Sequence, residues 1–180
     1  QERAHLPQLL SKTHPVDAYV DVDLYLPGCP PTPELFMGAL LDPQGFKAAS
    51  IVCAECGRRK LNDMKPDRLT GFQKIDQDPN ICLVNQGFLC VGTSTRGGCR
   101  APCTRAGHPC VGCRGPSNAF IEKESAVWLE NIQRVFERMT NIPPEELNDA
   151  LRSPQLSMFL FQFSDYAGGG RRVRSKDKVL

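Results

Sequence analysis

The reading of this chain turns on Cys53-Ala54-Glu55-Cys56 and on the run from Cys82 to Cys113, CLVNQGFLCVGTSTRGGCRAPCTRAGHPCVGC. Together they hold eight of the nine cysteines, spaced C-x2-C-x25-C-x7-C-x8-C-x3-C-x6-C-x2-C. Eight divides into two sets of four, and four thiolates are what a structural zinc ion or an iron–sulfur cube takes. The total of nine is odd and apolar patterns flank the stretch on both sides, which points away from the disulfide framework of a short secreted chain. From Cys53 to Pro116 the composition shifts to glycine, arginine, proline and cysteine with few periodic apolar runs. Such a segment is expected to consist of loops tied together by metal ligation.

Zinc is the competing ligand. The pairs Cys53/Cys56 and Cys110/Cys113 would suit a zinc ribbon, but a ribbon needs little more, and here Cys82, Cys90, Cys99 and Cys103 fill the interval. GFLCVGTSTRGGC also lacks the strand-and-turn pattern of a ribbon's knuckles. The balance favours iron–sulfur ligation, with a structural zinc module as the alternative. Gly87, Gly92, Gly97, Gly98, Gly107 and Gly112 let the backbone approach closely and aim N–H groups at sulfur, or else serve as ordinary turn glycines.

Working outward toward the N-terminus, Leu6, Leu9 and Leu10 form a short apolar set that Pro15 ends. Val20, Val22, Leu24 and Leu26 then alternate with Asp21, Asp23 and Tyr25, the pattern of a half-buried strand. Pro27-Gly28-Cys29-Pro30-Pro31 forms a loop, after which Thr32 fits an N-cap, Pro33 the first helical position and Glu34 the first turn. Leu35, Phe36, Ala39 and Leu40 recur at helical spacing. Cys29 therefore sits between a strand end and a helix start, where open α/β sheets place ligands and helix N–H groups favour an anionic group. Asp42-Pro43-Gln44-Gly45 is a turn.

Toward the C-terminus, Trp128, Ile132, Val135, Phe136 and Met139 mark one face of a helix over roughly 122–140, read as core packing. Pro143-Pro144-Glu145-Glu146 opens a second helix carrying Leu147, Ala150 and Leu151. The apolar segment Leu156 to Phe163 could cover a neighbour. Gly168-Gly169-Gly170 releases a basic tail of Arg171, Arg172, Arg174, Lys176 and Lys178, read as solvated.

Composition sets the bounds. Hydrophobic content of 41% and charged content of 23% are those of an ordinary globular chain. A formal charge of +2 is too small to mark a nucleic-acid surface, and no run of 18 apolar residues offers a membrane span.

LYLPGCPPTPE, CAECGRRK and CLVNQGFLCVGTSTRGGCRAPCTRAGHPCVGCRGP together resemble the small, electron-transfer subunit of nickel–iron hydrogenases, nearest to the soluble methyl-viologen-reducing group of methanogens. The likeness covers about residues 18–120. The 20 kDa subunit of respiratory complex I shares a GCPP but needs no such further cysteine set. The resemblance implies an α/β remnant of a flavodoxin-like domain over 1–50, a loop-rich two-cluster iron–sulfur domain over 51–116 and C-terminal helices over 117–180. It implies that Cys29 is the last ligand of a proximal 4Fe-4S cluster whose other ligands lie in a region ahead of Gln1. Cys53, Cys56, Cys82 and Cys90 match the distal cluster; Cys99, Cys110 and Cys113 match the medial one. Cys53 stands where uptake enzymes have a histidine, and Cys103 where their three-iron medial cluster lacks a thiolate. Both departures imply two complete all-cysteine 4Fe-4S clusters of low potential.

The resemblance further implies that this chain holds no catalytic residue and relays electrons away from a nickel–iron centre in a large-subunit partner. The expected acceptor is an iron–sulfur adaptor feeding heterodisulfide reductase; a sulfhydrogenase-type subunit passing electrons to NADP and a deazaflavin-reducing type are the runners-up. The expected location is cytoplasmic, without membrane or nucleic-acid contact. His108 reads as an outer hydrogen-bond donor or a surface residue.

Overall fold

The computed structural model describes residues 16, 19–28, 30–42, 51–71, 76–117, 119–120 and 125–151. Cys29, the apolar set before Pro15, most of the 42–45 turn, the 156–163 segment and the basic tail lie outside the described residues. In chain order the helices are α1 (Pro33–Leu41), α2 (Val52–Cys56), α3 (Pro102–Arg105), α4 (Ser125–Met139) and α5 (Pro144–Ala150), with a 3₁₀ turn at Val84–Gln86 between α2 and α3.

The helix boundaries follow the capping chemistry. Thr32 caps α1 in extended geometry, its hydroxyl accepting from the Leu35 N–H at 3.4 Å, with Pro33 in the first turn. Pro143 and Pro144 open α5, and α4 ends where Thr140 turns its hydroxyl back onto the Phe136 carbonyl at 2.7 Å. The apolar spacing of α4 is expressed as burial: Trp128, Ile132, Phe136 and Met139 are all buried, and Val135 packs at the edge of the same cluster.

Residues 20–26 differ from the expected strand. Only Tyr25 has bridge geometry, and no continuous run of strand residues forms around it. Alternation marks which residues could face a sheet, but a strand exists only where a neighbour completes the ladder. Elsewhere among the described residues the β-pairings are isolated bridges: Arg59 with Ile81, Thr70 with Phe88 and Thr95 with Pro116. In α1 the helical spacing of Leu35, Phe36, Ala39 and Leu40 does not mark a buried face. Leu35 is buried, while Phe36, Met37, Leu40 and Leu41 are exposed.

The cysteine-bearing loops do not stand apart from the helices. Val52, Leu83, Val84, Phe88, Val91 and Ala101 share one hydrophobic cluster with Trp128, Ile132, Phe136, Met139, Ile142, Leu147 and Leu151. Burying each of the larger side chains stabilises the fold by about 1.5–3 kcal/mol, so α4 acts as the floor on which the loops lie. Polar side chains fasten them to α4 and α5. Ser94 Oγ donates to the Trp128 carbonyl at 3.1 Å, Asn131 Nδ2 donates to Ser94 Oγ at 3.0 Å, and the Leu69 N–H donates to Glu146 at 2.6 Å.

Within the loops, the dipeptide Asn85-Gln86 does the work of a sheet. Asn85, fully buried, donates to the carbonyls of Leu61 and Met64 and accepts from the Leu61 N–H. Gln86 donates to the carbonyls of Asp78 and Ile81 and accepts from the Asp78 N–H. Arg58 adds a fork onto the Thr104, Asp78 and Ile81 carbonyls. These bonds fix the backbone on both sides of Cys82 and satisfy loop carbonyls that would otherwise need water.

Candidate metal centre

The first cysteine set converges on one place. Cys53, Cys56, Cys82 and Cys90 all line one cleft, part of it open to solvent. Its remaining wall comprises Val52, Leu83, Val84, Gly92 and Thr93, then Thr104 from α3, Val135 and Met139 from α4, and Lys60. These four thiols are the ones that the family resemblance placed together. The part played by α4 is new, since its apolar stripe read only as core.

Backbone hydrogen bonds place these thiols. α2 has no side-chain cap; the Val52 N–H donates to the Thr95 carbonyl at 3.0 Å and the Cys53 N–H to the Gly92 carbonyl at 3.4 Å. The CxxC helix is thereby docked on the loop that follows Cys90. Gly92 faces that helix closely: a Cβ there would lie 3.5 Å from Cys53 Sγ and from Cys110 Cβ. Cys82 is held as its N–H donates to the Arg59 carbonyl at 2.7 Å.

The thiols perturb one another. Burial, then the neighbouring Cys90, push the Cys53 thiol up to about 12, with Cys82 and Cys56 adding to the rise and Lys60 opposing it. Burial pushes Cys90 to about 11, against hydrogen bonds from the Gly92 and Cys110 N–H groups. Mutually repelling, desolvated thiols with N–H donors aimed at sulfur form a donor set that gains most from a bound positive centre. Soft all-thiolate donors converging on one cleft fit an iron–sulfur group by their chemistry. Among the described residues no three His, Cys, Asp or Glu side chains stand close enough to hold a single metal ion.

Of the second set, Cys99 and Cys113 lie near the Arg114 guanidinium and Cys110 lies near Cys113 and Cys90. Burial raises the Cys110 thiol, with further upward pushes from Cys90 and Cys113, while the Gly112 N–H and Thr95 oppose them. Burial also raises Cys99, opposed by the Ala101 N–H and by Arg114, with Glu55 adding to the rise. Arg114 is 1% exposed. Cys103, in the first turn of α3, is exposed. All eight described cysteines are free thiols. His108 is exposed with Nδ1 2.8 Å from the Pro109 carbonyl oxygen, consistent with a surface residue.

Two charged residues escaped the sequence reading. Glu55, inside CAEC, accepts from the N–H groups of Gly98 at 2.9 Å and Arg100 at 3.1 Å and lies 4.0 Å from Cys99 Sγ. Arg114 follows the last cysteine; its Nε donates to the Gly97 carbonyl at 2.9 Å and its Nη1 to the Pro27 carbonyl. The only sequence signal was position, a charged residue inside or against each CxxC pair.

Grouped free thiols on loops, with N–H donors turned toward sulfur, define a protein of the thiolate-ligating, metal-cofactor class. No protein-family profile matches the chain. It is 40% identical over 128 residues to a vhu-type subunit of the F420-non-reducing hydrogenase of Methanococcus voltae, covering 68% of this chain and 44% of that one. It is 33% identical over 125 residues to the iron-sulfur subunit of the F420-non-reducing hydrogenase of Archaeoglobus profundus, covering 62% and 39%. It is 32% identical over 144 residues to the sulfhydrogenase 2 subunit delta of Pyrococcus furiosus, covering 78% and 49%. Over 68% and 62% of its length the chain is thus homologous to these two F420-non-reducing hydrogenase subunits, the second of them named an iron–sulfur subunit. It spans less than half the length of each of these three relatives. No described helix is long and apolar enough to cross a membrane.

Proposed function

We propose that this chain forms the electron-relay part of a nickel–iron hydrogenase small subunit. Cys53, Cys56, Cys82 and Cys90 would hold a distal 4Fe-4S cluster; Cys99, Cys103, Cys110 and Cys113 a medial one; and Cys29 contributes one thiolate to a proximal cluster. The bound groups supply one-electron chemistry, and the protein supplies thiolates, N–H donors to sulfur and a water-excluding wall. The observation that carries the reading is the meeting of four thiols, drawn from α2 and two distant loops, on one cleft, in a chain homologous to an iron–sulfur subunit.

In this reading electrons enter on the Cys29 side from a large subunit bearing the nickel–iron centre, pass the second cysteine set and leave from the first. The exposed apolar residues of α1 support a surface covered by a partner subunit. The acceptor is an adaptor or heterodisulfide-reductase-type protein in the cytoplasm. The similarity to a sulfhydrogenase subunit favours one second reading, in which the same relay serves NADP.

Anaerobic purification with its partners tests the proposal. Iron and acid-labile sulfide in amounts matching two clusters for this chain support it, whereas a colourless preparation with stoichiometric zinc sinks it. Reduction of NADP by the hydrogen-supplied complex selects the second reading over the first.

A further inference from the structure

The charged side chains beside the two cysteine sets differ in burial and in what they hold. Lys60, beside the first set, is exposed. Arg114, beside the second, is buried and anchored at both ends of its guanidinium, to Gly97 and to Pro27. Gly97 lies two residues before Cys99, and Pro27 two residues before Cys29 in the sequence. Glu55 reaches from the first CxxC pair into the Gly98–Arg100 turn of the second set. That turn carries Arg100 and Ala101 at φ 61° and 52°, a left-handed geometry that disfavours side chains by roughly 1–2 kcal/mol per residue. Strain of this kind persists only where the surroundings over-determine it, and Glu55 is part of what does so.

We propose that Arg114 and Glu55 are an opposed pair of positioning residues that set the reduction potential of the group held by the second cysteine set, Arg114 raising it and Glu55 lowering it. The inference rests on the proposed cluster-holding function. Reduction adds one electron to a site already negative from its thiolates. A fixed cation stabilises the reduced form and a nearby carboxylate destabilises it, and the burial of Arg114 strengthens its effect. The cation lining the first set's cleft is an exposed lysine, so the two sets sit in unequal fields.

The test is a potentiometric EPR titration of the cluster-loaded chain in its complex, with Arg114→Gln, Arg114→Lys and Glu55→Gln. Glutamine at 55 keeps an acceptor oxygen for the Gly98 and Arg100 N–H groups, so this variant retains the turn even if the Arg114 variants fold poorly. The expected result is a downward shift of one cluster's midpoint in Arg114→Gln, a smaller shift in Arg114→Lys, and an upward shift of the same midpoint in Glu55→Gln, the other midpoint staying in place. Two clusters with unmoved midpoints in Glu55→Gln, or with both midpoints shifted alike, overturn the inference while leaving the proposed function standing. A wild-type complex in which this chain holds no second cluster removes both.

Discussion

The backbone N–H of Cys110 donates to the sulfur of Cys90 across 3.3 Å. The same pairing closes on its other side, where the Val91 N–H donates to the Cys110 carbonyl at 3.0 Å. One cysteine of each set is thus locked to the other through main-chain groups, and Gly92 leaves no side chain between Cys53 and Cys110. Two cysteine sets joined in this way are tied to each other through main-chain bonds. In the proposed relay, such bonds rather than side chains would fix the separation of the two bound groups.

The joined sets predict how the metal-free chain responds to pH. Burial and neighbouring thiols raise Cys53 to about 12 and Cys90 to about 11, so in the folded chain both stay protonated where unfolded thiols, at about 8.5, have ionised. Between those values the unfolded state binds fewer protons, and stability falls as pH rises. The metal-free protein is expected to hold its full stability below about pH 8.5 and to lose it progressively up to about pH 12. Chemical unfolding followed across that range should show this slope. The metal-loaded protein, its thiolates already deprotonated and ligated, should lack it. Equal pH profiles for the two forms would contradict the assignment of these buried thiols as the ligands.

Gly87 tests the scaffold separately from the metal. Its φ is +90°, and a Cβ there would lie 2.7 Å from Thr70 Oγ1 and 2.9 Å from the Arg68 carbonyl oxygen. Its own carbonyl accepts from the Thr70 N–H at 2.8 Å. Gly87→Ala is expected to destabilise by about 2 kcal/mol, about 1–2 from the left-handed backbone and the rest from contact with a carbonyl that cannot retreat. At Gly92 the corresponding neighbours all stand at 3.5 Å, an ordinary contact distance. Gly92→Ala should therefore unfold near the wild-type denaturant midpoint, and urea melts of the two variants would rank them.

What could be read in advance, and what could not, divides by the range of the interaction involved. The caps of α1 and α5 and the stripe of α4 are local patterns, written in residues three or four apart, and the structure reproduces them. For the cysteines, spacing alone showed eight thiols in two possible sets, and their division rested on the family likeness; that Cys53, Cys56, Cys82 and Cys90 line one cleft is a long-range fact that spacing does not record. The strand expected at 20–26 depended on a partner that alternation cannot supply. Asn85, Gln86, Glu55 and Arg114 act through carbonyls and amides between 5 and 87 residues away in sequence, and no periodicity records such pairs. Met139 belongs to the core as its spacing implied, but its second role in walling the cleft follows only from how α4 crosses the loops.

Met139 makes that second role measurable. The side chain is 4% exposed and belongs both to the core cluster and to the lining of the thiol cleft. Met139→Ala is expected to destabilise by about 2–5 kcal/mol, as large-to-small core substitutions do. It should also open the cleft to water and oxidant, so that iron is lost faster in air from the first set than from the second. Phe136→Ala is the control. It removes a larger buried side chain, at about 3–5 kcal/mol, from a residue outside the cleft lining. If both variants lose iron at rates that follow stability alone, Met139 has no specific part in the cleft.

Cys103 distinguishes a complete four-thiolate second set from a three-thiolate one. It lies in the first turn of α3 and is exposed, whereas Cys110 is buried and Cys99 and Cys113 are partly so. Its carbonyl accepts from the His108 N–H at 2.8 Å, a bond that any residue at the position can keep. Cys103→Ala should therefore leave the fold intact, with thermal stability within about 0.5 kcal/mol of the parent, as for surface changes generally. If Cys103 is a ligand, the variant should retain the first cluster unchanged and convert the second to a three-iron form of higher potential, visible by low-temperature EPR in the oxidised state. An EPR spectrum and iron content identical to the parent's would instead place the fourth ligand elsewhere and leave Cys103 a surface thiol, the first of the eight to be alkylated in the metal-free chain.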